Sequence, residues 1–125
     1  MTLIDTSCWI EFLRGKENPA SRTVLSLLQA GEAASCDIIS VELWSGVRDG
    51  AERKALEELE REVPSLSLDL EVWSIARTFA FRCRRAWLND RVPDLMISAC
   101  AIRHDVPVES IDTDFAAILA VARKM

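Results

Sequence analysis

The chain alternates short apolar runs with longer segments in which apolar residues recur at helical spacing. The short runs are predicted to be β-strands, at residues 2–4, 33–38, 66–68 and 106–111. The longer segments are predicted to be α-helices, at residues 19–30, 41–50, 51–62, 70–88, 93–103 and 115–122. Because short apolar strands that alternate with helices pair in parallel, this order predicts an α/β sandwich.

Residues with a preference for helix ends place the start and the end of two of these helices. Asn18 and Pro19 suit the start of a helix, and Gly31 suits its end. Ser40 is predicted to cap the next helix, which closes near Gly50.

Two helices are predicted to bury an apolar face. In the helix after Ser40 the inward residues are Val41, Leu43, Trp44 and Val47. In the helix at 70–88 they are Val72, Trp73, Ala76, Phe79, Ala80 and Cys83. The glutamates of residues 51–62, Glu60 included, are assigned to a solvated surface because lysines and arginines surround them.

The bulk composition fits one globular domain at residues 1–125. Half of the 125 residues are hydrophobic, and the chain has no linker, repeat or low-complexity segment. The longest apolar stretches, near 95–102 and 115–122, are too short to span a bilayer, and the N-terminus lacks the pattern of a signal peptide. We therefore expect a cytoplasmic protein without a membrane association.

The four cysteines (Cys8, Cys36, Cys83 and Cys100) are scattered, and the chain has only one histidine. This spacing argues against a structural zinc site and against a disulfide framework. We expect small buried thiols in a reducing compartment.

The distribution of charge bears on nucleic-acid binding. The net charge of −5 is unusual for an enzyme that contacts phosphates. Residues 77–91, however, hold five arginines and the single acid Asp90. A local basic segment therefore remains a candidate for binding a polyanion.

Four acids stand where the pattern places strand ends and helix starts. Asp5 follows the first strand, and Asp112 follows the last one. Glu42 and Asp94 lie just inside predicted helix starts. In a parallel sheet these positions share one edge, where ligands bind.

Carboxylates that converge at one edge repel one another, and a divalent cation relieves that repulsion. Oxygen ligands without nearby histidine or cysteine suit Mg²⁺ or Mn²⁺. Each acid also has a structural alternative, since such residues often cap a helix or form a turn. Position alone supports a metal site and does not name a substrate.

Four segments resemble the signature segments of PIN domains: Leu3-Ile4-Asp5-Thr6-Ser7, Ser40-Val41-Glu42-Leu43, Pro93-Asp94-Leu95-Met96-Ile97-Ser98-Ala99 and Ser110-Ile111-Asp112-Thr113-Asp114-Phe115. Their order and spacing resemble in particular the VapC-type toxins of bacterial toxin–antitoxin pairs. The likeness runs from residue 2 to about residue 116. It implies a PIN-like three-layer sandwich, in which a short, mostly parallel sheet is flanked by helices.

The resemblance implies a metal-dependent endoribonuclease. Its metal-binding and catalytic acids map onto Asp5, Glu42, Asp94 and Asp112, with Asp114 as an additional candidate. In such an enzyme the metal ion polarises a phosphoryl oxygen and lowers the pKa of a bound water.

Polar residues near these acids also have expected roles. Thr6 and Ser7 are expected either to hydrogen-bond a carboxylate or phosphate or, as the preferred alternative, to cap the following helix. Two positions depart from the family pattern. Ser110 replaces the usual Thr or Asn and keeps a hydroxyl. Glu109 occupies a usually apolar strand position, so the end of the last strand is expected to be irregular or exposed. His104 lies too far along its helix from Asp94 to be expected as a general base.

The resemblance also implies partners: an RNA substrate, a small antitoxin protein and a second copy of the chain. The candidate RNA-binding residues are Arg82, Arg84, Arg85 and Arg91. Trp9, Phe12 and Trp44 could line a groove for an antitoxin peptide, although burial in the core or in an interface is the preferred interpretation of the tryptophans, Trp73 and Trp87 included.

The sequence leaves one main alternative to a ribonuclease and argues against two others. The main alternative is a catalytically silent PIN-like module that binds RNA or protein; loss of acids would favour it, and this chain keeps all four. Asp112-Thr113-Asp114 is similar to the nucleophile motif of haloacid-dehalogenase-type phosphatases, but that motif should follow the first strand. A receiver domain needs a lysine after a late strand, which we do not find.

Overall fold

The computed structural model describes residues 1–85, 92–112 and 114–123. Its strands are β1 (Thr2–Ile4), β2 (Ala33–Cys36), β3 (Ser65–Leu66) and β4 (Val108–Glu109). Its helices are α1 (Thr6–Leu13), α2 (Pro19–Gln29), α3 (Asp37–Ser45), α4 (Gly50–Glu62), α5 (Leu70–Arg85), α6 (Val92–His104) and α7 (Asp114–Arg123).

The four strands form one parallel sheet in the order β3-β2-β1-β4. The chain moves outward from β1 through β2 to β3 and then crosses back to β4. With right-handed crossovers, this reversal puts α1–α4 on one face of the sheet and α5 and α6 on the other. Most helix contacts agree, since α1 packs on α2 and α3 while α5 packs on α6 and α7; α3 and α6 also touch each other. The predicted α/β sandwich with three layers is therefore confirmed.

The sheet lies inside the core. Leu3 and Ile4 are neighbours in β1 and point to opposite faces, yet both are fully buried. Burial on both faces is expected of a parallel strand that helices cover on each side. Among the described residues, no helix is both long enough and apolar enough to cross a membrane.

Helices α5 and α6 lie side by side and run in opposite directions. At one end, the His104 ring nitrogen Nε2 hydrogen-bonds the Ser67 carbonyl oxygen at 2.8 Å, and the Arg103 guanidinium pairs with the Asp69 carboxylate at 3.2 Å. These contacts put the end of α6 beside the start of α5. The end of α5 therefore lies beside the start of α6.

The helix that carries Glu42 begins earlier than the sequence predicted, and it buries a different set of residues. The strand expected at 33–38 ends at Cys36, and α3 begins at Asp37, three residues before the predicted cap. Val41 was expected to face inward but is 67% exposed, and the buried positions are Ile39 and Leu43, one turn apart.

Other helix boundaries differ less. α3 ends at Ser45, and Gly50, predicted to close it, is the first residue of α4. The predicted strand at 66–68 is β3 at Ser65–Leu66, and that at 106–111 is only Val108–Glu109, after which Ile111 is exposed.

On α5 the buried face is narrower than predicted. Val72, Ala76, Phe79 and Cys83 are buried as expected. Trp73 and Ala80 are exposed, because they lie on the flank of the helix, roughly a quarter turn from the buried face. The predicted end of this helix, near residue 88, lies outside the described residues.

The end of α2 agrees with the sequence. The Asn18 side chain accepts a hydrogen bond from the Ser21 backbone N–H at 2.9 Å, and Pro19 is the first helical residue. Gly31 follows with φ of +69°, a left-handed conformation in which a side chain would be strained.

Candidate active site

The site is built around the point where the strand order reverses. β1 and β4 are neighbours, but the helices that follow them pack in different layers: α1 on α2 and α3, and α7 on α5 and α6. In open parallel sheets this reversal leaves a crevice at the carboxyl ends of the two strands, and ligands bind there. Asp5 and the segment after β4 occupy this place.

Asp5 is buried and held by two hydroxyl groups. Its side chain is 6% exposed. The carboxylate oxygen Oδ2 accepts hydrogen bonds from Ser7 Oγ at 2.8 Å and from Ser110 Oγ at 2.9 Å. Ser7 and Ser110 are far apart in sequence, so the carboxylate is oriented both from α1 and from the segment that follows β4.

Asp5 occupies the N-cap position of α1, yet its side chain does not cap that helix. Elsewhere the chain does use side-chain caps: Asn18, Asp49 and Asp69 each accept a hydrogen bond from a backbone N–H at the start of α2, α4 and α5. The structural alternative for Asp5, a helix cap, is therefore excluded, and its carboxylate is directed into the site.

Ser110 also connects Asp5 to Asp112. Besides donating to Asp5, its hydroxyl accepts a hydrogen bond from the Asp112 backbone N–H at 2.9 Å. The hydroxyl noted in the sequence is thus used twice. The expectation that the end of the last strand is irregular or exposed is met in part: Glu109 is half-buried and pairs with Ile4, but strand pairing stops there and Ile111 is exposed.

Glu42 reaches the same region from α3. Thr6 Oγ1 donates a hydrogen bond to Glu42 Oε1 at 2.8 Å. Thr6 and Ser7 therefore both bind carboxylates, and the preferred expectation that they cap α1 is wrong. Glu42 is also not at a helix start, since it is the sixth residue of α3, so the helix dipole gives it no first-turn stabilisation.

Asp94 lies in the first turn of α6 and is 5% exposed. α6 ends at His104, and β4 begins four residues later at the amino edge of the sheet. A helix that precedes a parallel strand this closely runs antiparallel to it, so the start of α6 lies towards the carboxyl edge. The structure thus links Asp5 to the Asp112 backbone through Ser110 and holds Glu42 on Thr6, the residue after Asp5. The topology brings Asp94 towards this edge.

The structure describes some of the remaining candidate site residues and not others. Asp114 begins α7, but its side chain lies outside what the structure describes, as does Arg91. Arg82, Arg84 and Arg85 are exposed in the last turn of α5, at the end that lies beside the start of α6.

The electrostatics of the site are negative. The buried Cys8 thiol has its pKa raised, first by burial and then by the charges of Glu109 and Asp5. Among the described residues, no lysine or arginine forms an ion pair with Asp5. Such a region attracts cations.

The fit to a metal ion rests on donor chemistry. In the part of the chain that is described, no three histidine, cysteine, aspartate or glutamate side chains are grouped closely enough to hold a metal ion as they stand. The acids present are nevertheless hard oxygen donors, and hydroxyl groups orient Asp5 and Glu42. This set suits Mg²⁺ or Mn²⁺ once the carboxylates converge.

The aromatic residues divide between core and surface. Trp9 is 1% exposed and packs edge-to-face on Phe12, with ring centroids 6.5 Å apart, so it belongs to the core rather than to a groove. Trp44 is half-buried, and its Nε1 donates to Glu60 Oε1 at 2.6 Å. Ser40 also donates to Glu60, which therefore ties α4 to α3 instead of facing solvent as predicted.

A groove does reach Glu42, with a different lining. It lies between α1, α3 and α4, and its lining includes the apolar residues Ile10, Leu13, Leu43, Val47 and Leu56 and the charged residues Arg14, Glu42 and Glu52. The sequence did not predict this groove, because it placed the start of α3 and its buried residues wrongly.

Comparison with known proteins agrees with this geometry. The family model described as "PIN domain" matches residues 2–120. The chain belongs to the PIN domain family. Curated relatives within this PIN family include a VapC ribonuclease of Mycobacterium bovis and Ribonuclease VapC11 of Mycobacterium tuberculosis. Each is 36% identical over 97% of this chain and 93% of the relative.

Solved structures share the PIN fold at lower identity. VapBC2 from Rickettsia felis, bound to a DNA fragment from its promoter, has a TM-score of 0.78 at 10% identity, covering 93% of this chain and 90% of that one. FitAcB from Neisseria gonorrhoeae has a TM-score of 0.72 at 24% identity, covering 94% and 93%. VapBC-5 from Mycobacterium tuberculosis has a TM-score of 0.67 at 22% identity, covering 94% and 89%. These likenesses show the fold.

Proposed function

We propose that the chain is a metal-dependent endoribonuclease and the toxin component of a toxin–antitoxin pair. The observation that carries the proposal is the 36% identity to VapC ribonucleases across 97% of the chain. The buried, hydroxyl-oriented Asp5 at the strand-order reversal supports it.

Asp5 and Asp94 would hold the metal ion, with Asp112 and Glu42 completing the set and Asp114 as an additional ligand. When bound, Mg²⁺ or Mn²⁺ supplies Lewis acidity towards a phosphoryl oxygen and a lower pKa for water. The chain's own contribution is orientation. Ser110 positions Asp5 and Asp112 relative to each other, while Thr6 holds Glu42 on the same side.

The arginines at the end of α5 would contact the RNA. Because α5 and α6 are antiparallel, Arg82, Arg84 and Arg85 lie at the end of the helix pair where Asp94 begins α6. Their guanidinium groups would bind phosphates on either side of the cleaved bond, offsetting the net charge of −5. Arg91 belongs to the same basic segment by sequence.

A small antitoxin would occupy the groove between α1, α3 and α4. The apolar lining suits an amphipathic segment, and Glu42 would pair with an arginine of that segment. The structural neighbours named VapBC support such a partner. An arginine placed there would compete with the metal ion for the carboxylates.

A second copy of the chain would cover the outer face of α5. Leu70, Trp73 and Phe81 are 87%, 43% and 63% exposed, and helical geometry puts Leu70 and Phe81 opposite the buried face, with Trp73 on the adjoining flank. Exposed apolar residues that share a face indicate an interface. The pair would work in the cytoplasm, where its RNA substrate is found.

The test compares the wild-type protein with Asp5→Asn and Asp94→Asn. We expect Mn²⁺-dependent cleavage of an RNA oligonucleotide by the wild type, its loss with EDTA, and its absence in both variants at unchanged melting temperature. Removing one of several repelling charges should leave the fold intact. A wild-type protein that binds RNA without cleaving it in either metal would favour the silent binding module.

A further inference from the structure

One buried hydroxyl group on α6 is left unpaired. Ser98 is the seventh residue of this helix, and its side chain is fully buried. Its Oγ atom has no hydrogen-bond partner among the described residues. The other side chains from Leu95 to Ala101 are also buried, and none of them carries an oxygen or nitrogen atom. Ser98 is therefore a single hydroxyl in an otherwise apolar stretch.

A buried hydroxyl without a partner lowers stability, because it has lost its hydrogen bonds to water. Hydroxyls on other helices of this chain avoid that loss by donating to a backbone carbonyl one turn earlier. Thr23 Oγ1 donates to the Pro19 carbonyl oxygen at 2.9 Å. Thr78 Oγ1 donates to the Ser74 carbonyl oxygen at 3.2 Å. Ser98 makes no such bond, so its hydroxyl is not used to stabilise its own helix.

Helical geometry puts Ser98 on the face of α6 that carries Asp94. The two residues are four positions apart, so their side chains are neighbours one turn apart, with Cβ atoms about 5–6 Å from each other. Side chains of an α-helix lean towards its N-terminus, and this directs the Ser98 hydroxyl towards Asp94. Both side chains are shielded from solvent, at 0% and 5% exposure.

Hydroxyl groups already orient two of the candidate acids, Asp5 and Glu42. A hydroxyl that donates to a carboxylate fixes its direction and leaves its negative charge in place, which is what a metal-binding carboxylate requires. Ser98 is placed to do the same for Asp94 from within α6.

We propose that Ser98 is a positioning residue for Asp94, and that its hydroxyl donates to the Asp94 carboxylate when the acids converge on a divalent cation. The unpaired hydroxyl destabilises the metal-free protein, and the hydrogen bond is made in the metal-bound protein. Alanine at this position should therefore stabilise the metal-free protein and weaken its binding of metal. The inference rests on the metal site of the proposed function.

The experiment titrates metal-free, folded protein with Mn²⁺, measures free Mn²⁺ by electron paramagnetic resonance, and records melting temperatures with and without Mn²⁺. For Ser98→Ala we expect a dissociation constant at least about tenfold above the wild-type value. Its melting temperature should be higher than that of the wild type without Mn²⁺, and should rise less when Mn²⁺ is added.

Two further variants separate the hydroxyl from the packing around it. Ser98→Thr keeps the hydroxyl and should bind Mn²⁺ within about threefold of the wild type. The matched control Ser21→Ala removes the hydroxyl of a buried serine on α2, away from the acids, and should bind Mn²⁺ as the wild type does.

Single-turnover RNA cleavage by the same proteins gives a second readout. Ser98→Ala should need about tenfold more Mn²⁺ for its half-maximal rate and should approach the wild-type rate at saturation, because Asp94 itself is retained. Wild-type Mn²⁺ affinity in Ser98→Ala overturns the proposal, and so does an equal shift of its melting temperature with and without Mn²⁺, which indicates a structural role. A wild-type protein that does not bind Mn²⁺ contradicts the metal site and the role of Ser98 together. Weaker Mn²⁺ binding by Ser98→Ala, with no RNA cleavage by the wild type, supports the role of Ser98 and contradicts the proposed ribonuclease.

Discussion

Ser110→Ala removes the hydroxyl that joins the segment after β4 to the buried carboxylate of Asp5, which follows β1. The hydroxyl donates to Asp5 Oδ2 at 2.9 Å and accepts from the Asp112 backbone N–H at 2.9 Å. Alanine fits the space without new contacts. The substitution therefore tests whether the orientation of the acids, rather than their presence, supports catalysis.

The size of the effect follows from these two bonds. A hydrogen bond to a charged group contributes about 1.5–3 kcal/mol and a neutral one about 0.5–1.5 kcal/mol. Because both bonds are only partly buried, water replaces much of each, and we expect a loss of about 1–2 kcal/mol in the free energy of unfolding. Removing the partner of a metal-binding side chain typically lowers metal affinity or activity by about 10–100-fold, so cleavage should fall more than stability suggests.

The assay is single-turnover cleavage of a labelled RNA oligonucleotide over a Mn²⁺ titration, with the melting temperature measured in parallel. The matched control is Ser110→Thr, which keeps the hydroxyl and should cleave within about threefold of the wild type. Wild-type cleavage by Ser110→Ala at every Mn²⁺ concentration would refute the reasoning. Equal inactivity of the alanine and threonine variants would also refute it, because the hydroxyl would then not be the cause.

Three further substitutions test other contacts. Thr6→Val keeps the shape of the side chain but removes the donor to Glu42, so cleavage should fall about tenfold in the same assay; an unchanged rate would exclude Glu42 from the mechanism. Ser98→Ala should raise the melting temperature by about 2–5 °C in calorimetry, since the Ser98 hydroxyl is fully buried and has no partner among the described residues; a lower melting temperature would contradict this. Glu60→Ala removes the acceptor of Trp44 and should cost about 1–3 kcal/mol in urea denaturation, with a red shift of tryptophan emission. An unaltered unfolding midpoint would show that the Trp44–Glu60 hydrogen bond does not stabilise the packing of α3 on α4.

The sequence predicted the parts of the site that depend on local pattern. An acid that directly follows a short apolar run lies at the end of a strand, and this placed Asp5 correctly. A proline beside an acid before an apolar run starts a helix, and this placed Asp94 in the first turn of α6. The succession of strands and helices predicted the parallel sandwich, because each element needs an apolar face to bury.

The starting residue of α3 could not be predicted from local pattern in the same way. Ser40 is a good cap residue by its own preference, but the structure uses its hydroxyl to reach Glu60 on another helix. The helix starts at Asp37 because β2 ends one residue earlier, at the last position that pairs with β3. Where a helix begins was decided by strand pairing, which a single segment does not contain.

By itself, then, the sequence determined the order of the elements, the acids at their ends and the PIN-like pattern, since each depends on residues that are neighbours in the chain. Only the tertiary structure decided which side chains meet: Thr6 with Glu42, and Ser110 with Asp5. These pairs are separated by 36 and 105 positions. The physical reason is that contacts over such separations depend on how the helices pack on the sheet, which is a property of the whole core and not of any segment.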